Sequence, residues 1–141
     1  MTTTLNTAST TTHVANPRIA ALIGTGLAAA TVASAATMTV AAAGHAVGVS
    51  LDMSGAPIPV TGFGVLTAGF SLVGLVLAVA LARWARTPRR TFLRTTVVLT
   101  ALSLVPDAIA DAGSATKALL MFTHLVAASI VIPAVARRLT A

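Results

Sequence analysis

The stretch TGFGVLTAGFSLVGLVLAVALA fills Thr61–Ala82, and RWARTPRR follows it at Arg83–Arg90. No charge interrupts the first part. As an α-helix it rises about 1.5 Å per residue, enough to cross a hydrocarbon core of about 30 Å. The second part sets Trp84 among four arginines. An interfacial ring beside positive charge marks the cytoplasmic boundary of a membrane. Thr87-Pro88-Arg89 then reads as a helix start, with proline at the first helical position, where its missing N–H costs nothing. One membrane helix therefore ends, and another begins, within this basic segment.

Working outward in both directions brings up three more apolar runs. Ile19–Gly44 carries no charge, is rich in Ala and Thr, and follows Asn16-Pro17-Arg18, a second cap–Pro–Arg start. Its mild hydrophobicity suits packing inside a bundle better than facing lipid all round. Phe92–Ala112 is interrupted by Arg94, Pro106, Asp107 and Asp111. Gly113-Ser114 offers a helix stop and then an N-cap, and Ala115–Ala136 runs on to Arg137-Arg138. The predicted helices are 17–44, 61–84, 89–112 and 115–138, within one transmembrane domain, 16–141. The short third turn makes the last two helices antiparallel neighbours. Residues 45–60 hold His45, Asp52, Gly55, Pro57 and Pro59, so an irregular connection is expected there. Residues 1–15 are Thr-rich and uncharged, with no apolar face to bury, and are expected to be a disordered tail. The expected fold class is all-α, an integral membrane four-helix bundle running up-down-up-down.

Composition points the same way. Of 141 residues, 56% are hydrophobic and 9% charged, where a soluble domain has about 25% charged. Mean hydropathy is +0.93. The absence of cysteine removes disulfides, thiolate metal sites and cysteine nucleophiles. A net charge of +6 raises nucleic acid as a partner. Against it, the arginines sit at the ends of apolar runs, and four Phe, one Trp and no Tyr make no stacking platform. The lipid bilayer is the expected partner.

Charge asymmetry sets the expected orientation. Arg18, the Arg83–Arg94 cluster and Arg137-Arg138 fall at one set of helix ends. Lys117 and the three acids, Asp52, Asp107 and Asp111, fall toward the other. Positive residues stay inside, so both termini and the central loop are expected in the cytoplasm, with the chain multi-pass in the cell membrane. A rival reading makes the first run a cleaved signal peptide, with Arg18 as its charged start and Ala33-Ser34-Ala35 as its cleavage site. The long segment before Arg18 and the apolar run beyond Ala35 argue against it. The endings Ala80-Leu81-Ala82-Arg83 and Ala134-Val135-Ala136-Arg137 also allow a two-hairpin duplication.

Few side chains here could carry chemistry. Thr96, Thr100, Ser103, Asp107 and Asp111 are spaced by three or four, one face of a helix. An ionised Asp in hydrocarbon costs a few kcal/mol or more, so this stripe must face other helices or a wet cavity. Pro106 removes the backbone bond to Leu102 beside it. His124 on the fourth helix is within reach of Asp107 if the two helices are neighbours. The candidate site is a polar pocket of Asp107, His124, Asp111, His45 and Ser103. The structural alternative places the acids and Lys117 in the headgroup region and bonds His124 to a nearby Ser or carbonyl. Arg83, Arg86, Arg89 and Arg90 are candidate contacts for anionic lipid headgroups; their alternative is a topology signal alone. Gly26-x-x-x-Ala30-x-x-x-Ser34 and Gly74-x-x-x-Ala78-x-x-x-Ala82 permit close helix approach. No His or acid spacing builds a metal or haem site, and no nucleotide loop or nucleophile elbow is present. No cofactor is expected.

Four stretches carry a family resemblance: IPVTGFG at Ile58–Gly64 running on to Arg83, LSLVPD at Leu102–Asp107, THLVAA at Thr123–Ala128 and IPAVARR at Ile132–Arg138. Together they resemble an uncharacterised family of small four-helix integral membrane proteins from high-GC Gram-positive bacteria, over roughly residues 18–139. The resemblance implies location and fold, and brings no activity or catalytic residue. The expected function is a non-enzymatic accessory subunit of a larger membrane complex, or a component of a homo-oligomer. The alternative is a small transporter or ligand-binding protein working through the Asp/His pocket.

Overall fold

The computed structural model describes residues 16–139. Four helices dominate: α1 (Pro17–Ala46), α2 (Val60–Trp84), α3 (Pro88–Ile109) and α4 (Ser114–Ala136). They contain 30, 25, 22 and 23 residues. At about 1.5 Å per residue even the shortest spans about 33 Å, and all four are long and apolar enough to cross a membrane. The tail expected over residues 1–15 lies outside the described residues.

The helix starts follow local chemistry. Asn16 caps α1, its side chain accepting from the Arg18 N–H at 3.1 Å, with Pro17 in the first turn. Pro88 opens α3 in the same position, though Thr87 makes no side-chain cap bond. The expected cap at Ser114 is displaced by one residue. Gly113 holds the cap position with extended backbone, and Ser114 is already helical.

Packing selects small side chains rather than apolar ones, since nearly every position is apolar. The buried residues of α1 include Leu22, Gly26, Ala29, Ala33, Thr37 and Ala41, one stripe at helical spacing. This stripe sits against α2 and α4, while α3 packs against α4 and α2. One core joins Leu22, Ala29 and Ala33 of α1 to Leu75 and Ala78 of α2, Phe92 of α3, and Val131 and Val135 of α4. A second, smaller core joins Ala41, Leu51, Phe63 and Leu120. Between helices α1 and α2, the Thr37 and Thr67 hydroxyls are 3.0 Å apart. Such bonds in a membrane contribute about 0.6 kcal/mol each.

Gly26 lets Leu75 lie directly on the α1 backbone, and Gly64 does the same for Met38. The expected α2 contact at Gly74 is not used: a Cβ there would meet nothing within 4 Å. The seam passes instead through Gly64, Ser71, Leu75 and Ala78.

Two local features depart from the all-helical expectation. The first connection contains a two-stranded antiparallel hairpin, Asp52–Met53 with Ala56–Pro57. Ser54 and Gly55 turn it with φ of 53° and 79°, the backbone that a tight primed turn requires. This hairpin is tied down by the Ser54 N–H donating to the Asp111 carbonyl at 2.8 Å, by the Thr116 hydroxyl donating to the Ser50 carbonyl, and by buried Leu51. Also, α3 stops at Ile109, short of the expected Ala112. Pro106 has already removed one bond from its last turns, and Ala110 is extended, with ψ of 146°.

Gly26→Ala is expected to destabilise the protein by about 1–3 kcal/mol through overpacking against Leu75. Gly24→Ala, whose added Cβ meets nothing within 4 Å, is expected to be neutral or to stabilise by up to about 1 kcal/mol. Thermal unfolding of both variants in mild detergent checks this. Equal melting temperatures for the two would contradict the packing described.

Candidate functional site: an acid–imidazole pair between α3 and α4

Asp107 lies within the last turn of α3, two residues before Ile109. His124 lies near the middle of α4, ten residues after Ser114, or about 15 Å along the axis. Sequence position alone puts them at different depths. The turn brings them level. Its residues, 110–113, include two extended positions, Ala110 and Gly113, with ψ of 146° and 153°. Residues 110–113 therefore do not continue the α3 helix, and α4 begins afresh at Ser114. The His124 side chain then leans back toward the start of its helix, as helical side chains do.

The result is an approach of 2.8 Å between His124 Nδ1 and Asp107 Oδ2. Among the described residues it is the one acid–base contact of this kind. Asp107 is well covered, its side chain 13% exposed, while the imidazole is 35% exposed. The approach is short but poorly aligned: Oδ2 is buried and has no partner that also meets the angular requirement of a hydrogen bond. The aligned bond of Nδ1 is to the Leu120 carbonyl, at 3.1 Å. Because a carbonyl can only accept, Nδ1 is the donor in that bond. Nε2 has no hydrogen-bond partner among the described residues.

The remaining candidate residues are not part of this pair. Ser103 is half-buried and donates to the Thr100 carbonyl at 2.7 Å. Asp111 is exposed in the turn, beyond the end of α3, so the polar stripe ends at Asp107. What Asp111 contributes is its backbone carbonyl, which holds the hairpin. His45 is exposed in the last turn of α1. Arg83, Arg86, Arg89 and Arg90 are all exposed, and Trp84 beside them is 81% exposed. Among the described residues, no group of three or more His, Asp or Glu could hold a metal ion.

Below the pair, α3 and α4 leave an open groove of about 500 Å³. Val97, Ala101 and Leu104 of α3 line it with Leu125, Ala128 and Ile132 of α4. Thr100, Ser129 and Pro133 complete the wall. Leu104 is one turn from Asp107 and Ala128 one turn from His124, but neither member of the pair lines the groove. The bond to the Leu120 carbonyl joins residues four apart, one helical turn, and so lies within the reach of a helical side chain leaning toward the start of its helix. The groove had no such signal, because it is the gap between two apolar helices.

These features define a class: an all-α protein of four helices, each long and apolar enough to cross a membrane, with an acid–imidazole pair between two of them. More particularly, residues 17–141 match the model of a family of unknown function, DUF6069, and the chain belongs to that family. No curated protein and no solved structure matches the chain.

Removing the imidazole takes away the one ionisable group that contacts Asp107 among the described residues. His124→Ala is expected to destabilise the protein by about 1 kcal/mol, the low end for an orphaned polar group because the ring is partly exposed. Asp107→Asn replaces the buried charge with a neutral amide of the same shape, and is expected to cost less. Denaturation of both variants in detergent measures the difference; a His124→Ala protein as stable as the parent would mean the contact contributes nothing.

Proposed function

We propose that this chain is a non-enzymatic, multi-pass protein of the cell membrane that binds a small ligand at the Asp107–His124 pair. The observation that carries the reading is the 2.8 Å contact between an acid and an imidazole inside two candidate membrane helices. Ionisable groups at such depth are costly, and in membrane proteins they mark ligand, ion or proton sites. The imidazole is held at Nδ1 by its own helix, which leaves Nε2 to meet a ligand. This geometry favours the ligand-binding alternative over an accessory or oligomeric role. The apolar outer faces of the helices would be met by lipid and call for no protein partner.

The proposed orientation is up-down-up-down with both ends in the cytoplasm. What supports it is the arginine distribution together with the core that gathers the first half of α1, the second half of α2, the start of α3 and the end of α4. The helix ends near that core carry Arg18, Arg83, Arg86, Arg89, Arg90, Arg137 and Arg138, the positive side. Exposed arginines there would meet anionic headgroups, each adding about 1 kcal/mol of attraction.

Two measurements test this. A reporter active only in the cytoplasm, fused to either end in turn, is expected to work at both; activity at one end alone overturns the four-span topology. Protein extracted in mild detergent is expected to carry a small molecule, detected by native mass spectrometry, that is lost in Asp107→Asn and His124→Gln. Protein that carries nothing, and migrates instead with a larger partner, replaces the ligand reading with that of an accessory subunit.

A further inference from the structure

One end of the bundle carries cations and no acidic side chain. We infer that this end holds anionic phospholipids by directed bonds from its guanidinium groups to the lipid phosphate, centred on Arg86, Arg89, Arg90 and Arg94. The inference rests on the four-span reading above. It deepens the headgroup contact named there by stating what is recognised: a phosphate gripped at close range, beyond the diffuse attraction of positive charge.

Four observations lead there. First, the arginines have no acidic partner in the chain. Nine residues are basic, and all but Lys117 are arginines. Those at the α1 start, along Arg83–Arg94 and at the α4 end are all exposed, and one core draws these helix ends together. The three acids are elsewhere: Asp52 in the hairpin, Asp107 in the last turn of α3 and Asp111 just beyond it. Second, several arginines sit where the backbone is already positive. Arg18 is in the first turn of α1, and Arg89 and Arg90 are in that of α3; neither turn holds an acid. A helix start carries about half a positive charge, so cations there are repelled. An anion held among them is attracted by both.

Third, the choice of residue exceeds what topology needs. Lysine and arginine count alike in keeping a segment in the cytoplasm. Only the guanidinium presents a planar fork that meets two phosphate oxygens at once, and every cation at this end is arginine. Fourth, depth selects lipid over dissolved phosphate. Arg90 and Arg94 are one helical turn apart on α3, and both are exposed. Arg94 is six residues past Pro88, about 9 Å along the helix. Exposed Trp84 marks the headgroup level. A phosphate arriving from water meets Arg90 first; one tied to glycerol at the hydrocarbon edge is reached by Arg94 as well.

Full-length protein is reconstituted in phosphatidylcholine vesicles with trace phosphatidylglycerol or phosphatidylcholine, each carrying a nitroxide on one chain. Electron spin resonance reads the fraction of each lipid held at the protein surface. Phosphatidylglycerol is expected to be held about fivefold over phosphatidylcholine, the ratio that one surface arginine supports. Most of that preference is expected to survive about 1 M salt, where screening acts within about 3 Å. Arg86→Lys, Arg89→Lys, Arg90→Lys and Arg94→Lys combined keep every charge. That variant is expected to keep a preference only at low salt. Arg94→Gln alone is expected to lower the preference, and inorganic pyrophosphate is expected not to displace the lipid.

Equal retention of the two lipids by the parent protein overturns the inference, and so does a lysine variant that matches the parent at both salt levels. Displacement by pyrophosphate, or an Arg94→Gln protein that matches the parent, overturns the lipid as the source of the phosphate. The vesicles carry the same lipid in both leaflets, so the result does not depend on which face this end occupies. If the preference holds and the cytoplasmic reporters fail, only the orientation falls. If the reporters work and the two lipids are held alike, only this inference falls.

Discussion

In hydrocarbon a peptide N–H or C=O has no water to bond, so each must find its partner inside its own segment. That constraint shapes the rest of this molecule. Leaving one group unmet costs several kcal/mol, and among open segments only an α-helix meets nearly all of them. The four helices follow from it, and so do their lengths. Irregular backbone collects between them, where the hairpin pairs Asp52 with Pro57 and Met53 with Ala56 and its Ser54 N–H donates to the Asp111 carbonyl.

The same solvent takes away the usual reason for helices to associate. Burying leucine against leucine gains little when the alternative is leucine against lipid. Close approach and polar bonds have to do the work. Gly26 and Gly64 open the α1 and α2 backbones to Leu75 and Met38. Thr37 is fully buried, and its hydroxyl meets Thr67. Large apolar side chains face outward instead: Val65 and Phe70 of α2 are each 70% exposed, and Ile109 of α3 is 79% exposed. In water such a surface would drive aggregation; in lipid it is an ordinary exterior. The helix α3 packs less closely than α1, and its neighbours leave the groove beside it.

What could be read without coordinates follows from the same division. Helix existence, the caps at Asn16 and Pro88, and the short third turn are local properties, written in consecutive residues. Which face of an apolar helix turns inward is not local. Gly74 and Gly64 look equivalent in α2, yet only Gly64 meets a neighbour. The Asp107–His124 contact was legible as a pairing of residue types on adjacent helices, but not as a distance. Counting residues from Gly113 misplaces them in depth, because it treats 110–113 as helix where the chain turns through extended Ala110 and Gly113. Asp111 was grouped with them for the same reason. Its spacing is right for a helix that has already ended.

The opening constraint also shows where this protein departs from its own rules. Inside α1 and α2 no proline interrupts the ladder: Pro17 is in a first turn and Pro59 is a cap. Both interior prolines, Pro106 and Pro133, are in the other two helices. Each deprives a carbonyl of its donor, that of Leu102 in one case and Ser129 in the other. Asp107 Oδ2 adds a buried acceptor without an aligned partner. A second buried acceptor without a partner, Ser34 Oγ, is in α1; of the proline-linked pairs, Ser129 and Pro133 line the groove between α3 and α4, while Leu102 and Pro106 are exposed. Four helices serving only as a structural scaffold would gain from leucine at positions 106, 107, 124 and 133. What holds Asp107 and His124 there instead is the contact they make with each other and the bond from the ring to the Leu120 carbonyl.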